Sequence, residues 1–270
     1  MTDALMAHLA GHTAAVTGSS SGNGRAIALA LATAGANVVC SDLRKSTKDG
    51  GYEADADRDT DEVIRANGGT AEYLDADASD AADVQAVVDR AVQTFGRLDI
   101  MVNNAGILNA PHTIVEETEA EFDRTMLINC KSVWLGCKTA VTQMRSQNIV
   151  DGARGRIVNI ASTGGLVGLP QAPAYCTAKG AVVNLTRQLA VDFSAERINI
   201  NAVCPGFLHT AMLRPLIDDP DLNRLLRDKT PWPELGHAED VANATLFLAS
   251  GNASWVSGSI LTIDGGYTAA

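Results

Sequence analysis

Aromatic residues are scarce in this sequence: Phe, Tyr and Trp together make up 4% of 270 residues, while Ala and Gly are abundant. A core poor in rings and rich in small side chains suits helices packed closely on a sheet. Basic residues are outnumbered, 21 against 32 acidic, for a formal net charge of −11. That balance disfavours nucleic acid and anionic membrane as partners, although it leaves room for a locally basic pocket for phosphates. No apolar run approaches the roughly 20 residues that span a bilayer. The opening stretch MTDALMAHLAGH has neither the basic start nor the apolar core of a secretory signal. Cys40, Cys130, Cys137, Cys176 and Cys204 are odd in number and form no C-x-x-C pair, which reads as reduced thiols in a cytoplasmic protein. The five histidines lack H-x-x-x-H spacing, so no metal is expected. The acidic stretch EADADRDTDE (53–62) begins as a calcium loop does. Counted from Asp55, however, position six is Thr60 instead of Gly and position twelve is Ala66 instead of Glu. It reads as a solvated acidic loop, long for its place, that is either mobile or at a subunit contact.

What is present is alternation. Apolar runs at 13–18, 37–42, 70–77, 98–106, 155–162, 198–206 and 258–266 read as strands or strand–loop units. Between them, helical periodicity appears at 22–35, 61–68, 80–96, about 112–147, about 174–195 and 238–250. The strand-like runs are too continuously apolar for a half-exposed sheet, which implies a parallel sheet covered on both faces. Right-handed crossovers then give an α/β, Rossmann-type doubly wound parallel sheet of about seven strands with helices on both faces. No linker or fixed-period repeat divides the chain, so one domain is expected over 1–270.

TGSSSGNG (17–24) ends the first strand and opens the first helix. In that context Gly18 allows the tight turn, Gly22 close backbone approach, and Gly24 helix–sheet packing. The free N–H groups of the helix start then face a pyrophosphate. Asp42 ends the second strand, 24 residues after Gly18. A carboxylate there accepts from both ribose hydroxyls and repels a 2′-phosphate by on the order of 3 kcal/mol at ~5 Å. The expected cofactor is therefore NAD, with NADP second; Arg44 is the counterargument, since a guanidinium takes up such a phosphate. Asp77 and Asn104 follow the third and fourth strands, where ligands of open sheets gather, but either residue type also caps turns.

APAYCTAKG (172–180) places Tyr175 and Lys179 four apart, on one face of a helix. A cation beside a phenol favours phenolate and lowers the phenol's pKa from ~10. Such a tyrosine exchanges a proton with a carbonyl or an alcohol near neutral pH. Ser162, at the end of the preceding strand, is placed to hold the same substrate oxygen.

TGxxxGxG, NNAG (103–106), Asn129, Ser162, YxxxK and PG (205–206) occur in the order found in the short-chain dehydrogenase/reductases, which this sequence resembles from about residue 11 to 268. DASD (77–80) and TIDGGYT (262–268) also look like that family. The resemblance implies that Tyr175 is the general acid/base, that Lys179 lowers its pKa and bonds the nicotinamide ribose, and that Ser162 orients the substrate oxygen. It assigns Asn129 a water linking Lys179 to solvent. It places a dinucleotide against Gly18, Ser20, Ser21, Gly22, Asn23 and Gly24, against Asp42 and Leu43, and against Asp77 and Ala78. Asn104, Ala105 and Gly106 border its adenine side, and Pro205, Gly206, Phe207, Leu208 and Thr210 flank the nicotinamide and its phosphate. Asn23 departs from the family's usual apolar residue between the last two glycines.

The implied reaction moves a hydride between NAD and a small secondary alcohol or ketone, such as a sugar or polyol. The alternative is an NADP-dependent reductase of 3-oxoacyl thioesters on a carrier protein. A homotetramer is also implied. The insertion at 207–236 reads as a substrate lid or a surface excursion. Its Met212, Leu213, Leu216 and Trp232 are candidates to line an apolar pocket. Arg214, Arg224, Arg227 and Lys229 either bind an anionic substrate or face water.

Overall fold

The computed structural model describes residues 8–269, so most of the opening stretch examined for a signal lies outside the described residues. Seven parallel strands form one sheet in the order β3-β2-β1-β4-β5-β6-β7. They are β1 (Thr13–Thr17), β2 (Asn37–Asp42), β3 (Thr70–Asp75), β4 (Ile100–Asn103), β5 (Gly155–Ile160), β6 (Ile198–Pro205) and β7 (Ile260–Ile263). Strand order reverses between β1 and β4, so the loops leaving these two strands part and open a crevice at the sheet's carboxyl edge.

Strand side chains divide between two cores by simple alternation. Ala14, Val16, Val38, Cys40, Val158 and Val203 face one layer, with Ile27 and Leu31 of α1 (Gly22–Thr33) and Val241 and Leu248 of a late helix (Ala238–Ala249). Ala15, Val39, Met101, Ile157 and Ala202 face the other. There they meet Val87 and Val88 of the helix Ala81–Phe95, Val133 and Cys137 of Ser132–Arg145, and Val182 of Pro173–Phe193. In chain order the helices are α1, α2 (Thr60–Ala66), α3 (Ala81–Phe95), α4 (Glu119–Met126), α5 (Ser132–Arg145), α6 (Pro173–Phe193), α7 (Arg214–Asp218), α8 (Pro220–Asp228) and α9 (Ala238–Ala249).

Local signals set the boundaries. The Asp80 side chain accepts from the N–H groups of Ala82 and Asp83 to open α3, and Gly96, at φ +85°, closes it. Pro173 stands in the first turn of α6. The helix expected from about 112 begins only at Glu119, because Thr118 and Glu121 make a reciprocal capping box there. It continues through a π-helical turn, Leu127–Lys131, before α5. The 207–236 segment carries α7 and α8 around a small core of its own, Ile217, Leu226 and Leu235, with Phe207, Leu213 and Leu216 against it. A buried polar chain ties α6 to the sheet: Asn103 donates to Asn159 (2.8 Å), and Asn159 donates to Thr186 (3.0 Å).

Candidate active site

The glycine-rich loop joins β1 to α1. Gly18 has φ +65°, and a Cβ on it would come 2.9 Å from the Ala105 Cα; a Cβ on Gly24 would lie 2.0 Å from the Gly18 carbonyl oxygen. No larger residue fits at Gly24 without moving main chain. Asn104 staples this loop to β4. Its Nδ2 donates to the carbonyls of Thr17 (2.9 Å) and Gly18 (3.0 Å), and its N–H donates to the Thr17 hydroxyl (3.0 Å). The Ala105 N–H donates to that same hydroxyl at 3.1 Å. Asn104 is thus engaged in shaping the loop, and Thr17, which sequence reasoning passed over, is its partner.

Asp42 stands across the loop. One carboxylate oxygen accepts from the Ser20 N–H (3.1 Å) and the other from the Leu43 N–H (2.8 Å). The Ser20 hydroxyl donates to the Arg44 carbonyl (2.7 Å), and the side chains of Leu43 and Arg44 face solvent. Asp77 caps its own turn, accepting from the Ser79 N–H and hydroxyl, with Ala78 half-buried between them. Ser21 is the N-cap residue of α1, and the Asn23 Oδ1 just beyond it is buried without a hydrogen-bond partner.

An anion already lies on this helix start. The Gly22 N–H donates to the Glu53 carboxylate at 2.6 Å. The contact demonstrates that the cradle suits a negatively charged oxygen, and with the glycines and Asp42 it makes the residues present a fit for a dinucleotide.

On the far side, Pro205 ends β6 and Gly206 donates to the Ile263 carbonyl (2.9 Å). A Cβ on Gly206 would come 2.8 Å from the Asp264 Cα. Phe207 packs edge-on against Tyr267, ring centroids 5.0 Å apart. The Leu208 side chain is buried in the core with residues of α1 and α9, so a cofactor contact at this position would have to come from its main chain. The Thr210 methyl faces the cradle, 3.8 Å from where a Cβ on Gly22 would stand.

At the chemical end, three elements converge. Ser162 follows β5, is buried, and accepts from the Gly164 N–H at 3.1 Å. Tyr175 and Lys179 lie on the first turns of α6, with the Lys179 Nζ 5.9 Å from the tyrosine ring centroid. Lys179 is buried and donates to the Ile160 carbonyl at 2.8 Å. A Cβ on Gly106 would come 3.2 Å from the Asn129 Oδ1 and 3.7 Å from the Lys179 Nζ, so the NNAG turn, Asn129 and Lys179 meet at one place. Gly164 also has no room for a side chain, since its Cβ would sit 2.9 Å from Leu169 and 3.3 Å from the Tyr175 ring.

Asn129 sits fully buried in the π-helical turn. Its side chain grips one residue from both sides, accepting from the Ile107 N–H (2.7 Å) and donating to the Ile107 carbonyl (2.8 Å). A π turn widens the helix and recurs at functional sites; nothing in the sequence pattern announced either the turn or Ile107.

Burial governs the proton affinities. It lowers the Lys179 ammonium to about 8, so this residue is charged at pH 7 and loses its charge above that value. Burial also raises the Tyr175 phenol above its ordinary value, with the Ser162 hydroxyl pulling it back down. Burial is the largest influence on this half-buried phenol, and the Lys179 ammonium is turned to the Ile160 carbonyl, so the lowering expected from the Tyr-x-x-x-Lys spacing is not what this geometry shows. The neighbouring thiols are raised too, Cys204 to about 11, which keeps them uncharged near neutrality.

The 207–236 side chains do not gather as the sequence suggested. Leu213 and Leu216 pack within the segment's own core, and Trp232 is exposed. Arg214 pairs with Asp218 and reaches the Gly50 carbonyl, Arg224 pairs with Asp221, and Arg227 donates to Asn223. Their partners account for these three guanidinium groups without an anionic substrate.

Comparison with known proteins matches residues 18–268 to the family model described as enoyl-(acyl carrier protein) reductase. The chain is 39% identical over 258 residues to 2-(R)-hydroxypropyl-CoM dehydrogenase of Xanthobacter autotrophicus, covering 95% of this chain and 98% of that one. A short-chain type dehydrogenase/reductase from Mycobacterium marinum superposes with a TM-score of 0.87 at 32% identity, over 97% of this chain and 98% of the other. A protein from Agrobacterium tumefaciens, assigned provisionally as a 2-deoxy-d-gluconate 3-dehydrogenase and solved with bound NADP, superposes with a TM-score of 0.85 at 35% identity, over 97% and 98%.

Proposed function

The chain belongs to the short-chain dehydrogenase/reductase family and is an oxidoreductase of CH–OH groups, and from that premise we propose that it is a single-domain, NAD-dependent enzyme for a small secondary alcohol and its ketone. The observation that carries this reading is the convergence of Tyr175, Ser162 and Lys179 at the carboxyl edge of β5, beside a glycine cradle shaped for an anion. Two of the three named relatives carry a hydroxy compound in their names, one 2-(R)-hydroxypropyl-CoM and the other, assigned provisionally, 2-deoxy-d-gluconate. That range supports the substrate class and leaves the individual compound to experiment.

A bound nicotinamide supplies or accepts the hydride. Tyr175 moves the proton. Held above its ordinary pKa, the phenol is protonated at neutral pH and is ready to donate to a carbonyl oxygen. In the oxidative direction it must first lose that proton, so oxidation gains from rising pH. Ser162 holds the substrate oxygen. Lys179 presents a positive charge below about pH 8 that steadies phenolate as it forms. The Asn129 side chain is engaged with Ile107, so the water assigned to this residue would rest on main-chain atoms of the π turn.

Asp42 supports NAD over NADP, since its carboxylate faces the ribose side of the cradle; the NADP in the Agrobacterium structure belongs to that protein. The proposed dinucleotide contacts are the 18–24 loop, Asp42, Leu43, Asp77, Ala78, the 104–106 turn, Tyr175, Lys179 and 205–210. The carrier-protein alternative has less support, because three of the four cations on 207–236 already have partners in this fold. No helix among the described residues is long and apolar enough to cross a membrane. A cytoplasmic homotetramer is part of this proposal, and exposed Trp134 on α5, Val191 on α6 and Trp255 near β7 supply apolar surface for it.

The test is a panel of secondary alcohols, sugars and ketones run with both coenzymes and followed at the nicotinamide absorbance. Tyr175→Phe should lower turnover at least ~10³-fold while NADH binding stays nearly intact. Undiminished turnover in this variant would refute the assignment.

A further inference from the structure

The acidic loop after β2 did not find its place in the catalytic reading, yet it ends on the phosphate cradle. Residues 49–59 lie between β2 and α2 and touch the start of α1 through Glu53 and Asp55 and the start of α7 through Gly50. At their turn, one Glu53 oxygen takes the Gly22 N–H at 2.6 Å, at the first residue of α1. The other Glu53 oxygen is buried without a hydrogen-bond partner. A half-buried carboxylate with one inaccessible, unpartnered oxygen is unfavourable in itself. Its position is accounted for by the anion-seeking helix start it faces.

Two sets of contacts hold the loop, and they differ in strength. Its base is anchored by Arg25, which is buried and donates to the Arg58 and Asp55 carbonyls, to the Asp55 carboxylate and to Thr60. Thr60 in turn donates to the Ser19 carbonyl in the glycine-rich loop at 2.8 Å. Apart from a Gly51 N–H to Lys48 carbonyl bond (3.3 Å), the tip is held from outside. Arg214, at the start of α7, donates to the Gly50 carbonyl (3.0 Å) and lies over the Tyr52 ring at 5.2 Å. Tyr52 meets His209 edge-on at 5.2 Å. Gly50, at φ +79°, and Gly51 give the tip its freedom to swing.

We propose that this loop is a gate closed by its own carboxylate: Glu53 takes the anion position on α1, and the Gly50–Glu53 tip must withdraw before a pyrophosphate can use the same donor. The inference rests on the dinucleotide reading of the site and extends it to how the cofactor enters. Carboxylate and pyrophosphate carry like charge and compete for one N–H. The closed fraction of molecules therefore reduces the apparent affinity for the dinucleotide. Because the clamp on the tip is Arg214 and His209, both in the 207–236 segment, movement of that segment releases Glu53. Opening at the substrate side and admission of the phosphates are thereby one motion. The base, pinned by Arg25, stays in place and acts as the hinge.

Calorimetric titration of the full chain with ADP, adenosine and NADH tests this. ADP carries the two phosphates and adenosine carries none. Glu53→Ala should bind ADP and NADH about tenfold more tightly than the natural chain, the effect of removing one charge-assisted hydrogen bond, with adenosine unchanged. Glu53→Gln keeps the shape and removes the charge, and should fall between. Equal or weaker ADP binding by Glu53→Ala overturns the gate, as does a gain that extends equally to adenosine. If no form binds NADH, the dinucleotide reading falls and the gate with it; NADH binding that is tight but indifferent to Glu53 sinks the gate alone.

Discussion

The two ends of the crevice are made of different material. At the proposed phosphate end the available groups are main-chain N–H groups of a glycine-rich loop held in shape by Asn104 and Thr17. At the chemical end they are side chains, carried by the π turn, the end of β5 and the start of α6. A main-chain site depends on shape, so it fails when an atom is added. A side-chain site depends on protonation, so it fails when an atom is removed, even in an unaltered fold. The same contrast explains why a carboxylate of the chain can occupy the first kind of site, since a bare N–H donates to any anion of suitable size.

The largest effect should come from the chemical end. Lys179→Met removes the charge beside Tyr175 and should lower turnover by about 10³-fold. The same change should stabilise the fold. Lys179 has a folded pKa near 8, below the 10.5 ordinary for lysine, so burying the ammonium costs stability wherever it is charged. That cost is fully present below pH 8 and fades as pH rises toward 10.5, where the unfolded chain also loses the proton. Urea unfolding at pH 7 should show the variant more stable by roughly 1–3 kcal/mol, with the gain shrinking by pH 10. The loss of the bond to Ile160 offsets part of it. A variant less stable at pH 7 than at pH 10, relative to the natural chain, would contradict the burial argument.

The phosphate end should break by addition. Gly24→Ala puts a Cβ against the Gly18 carbonyl, where the gap is 2.0 Å. The loop must shift, and NADH affinity should fall by about 10²-fold. Circular dichroism should report an intact sheet, and melting should show a loss of about 1–3 kcal/mol from the forced repacking. Asymmetry between the ends is the point of this pair of variants: Lys179→Met removes one proposed ribose contact and should lower NADH affinity about tenfold, less than the roughly 10²-fold loss in Gly24→Ala. Equal losses would mean that the cradle and the lysine are not separable.

The same division governs what the sequence could disclose. The cradle was legible because its requirements are local: three glycines, a strand before them and a helix after. Tyr175 and Lys179 were legible as neighbours because four residues is a helical step. The direction of the phenol's shift was not, because desolvation depends on what closes over the ring, and Gly164 and Leu169 are brought there by the fold. Ile107 was hidden for a related reason, lying 22 residues from the Asn129 that grips it. The start of α4 was written in Thr118 and Glu121, a capping box that apolar periodicity alone overran. Leu213 and Leu216 were misplaced because an apolar residue in a lid reads the same whether it lines a pocket or packs within the lid itself. The acidic loop was legible as acidic and long, but a sequence cannot say which of its carboxylates turns inward.

The smallest effect tests the border between the two ends of the dinucleotide. Asp42 holds the Ser20 and Leu43 N–H groups, and the proposed NAD reading sets the ribose hydroxyls against its carboxylate. Asp42→Ala removes a hydrogen-bond acceptor for the ribose hydroxyls and should raise KM for NAD about tenfold. It also removes a like charge from a 2′-phosphate while Arg44 remains exposed beside it. A phosphate there gains a cation and loses a repulsion, so kcat/KM with NADP should rise about tenfold. The comparison is made with both coenzymes at one saturating alcohol. If NAD falls but NADP does not rise, Asp42 acts only through the loop it braces, and the discrimination lies elsewhere in the cradle. If the natural chain already prefers NADP, Arg44 outweighs Asp42, and the main-chain end of the crevice has its specificity set by the one long side chain at its rim.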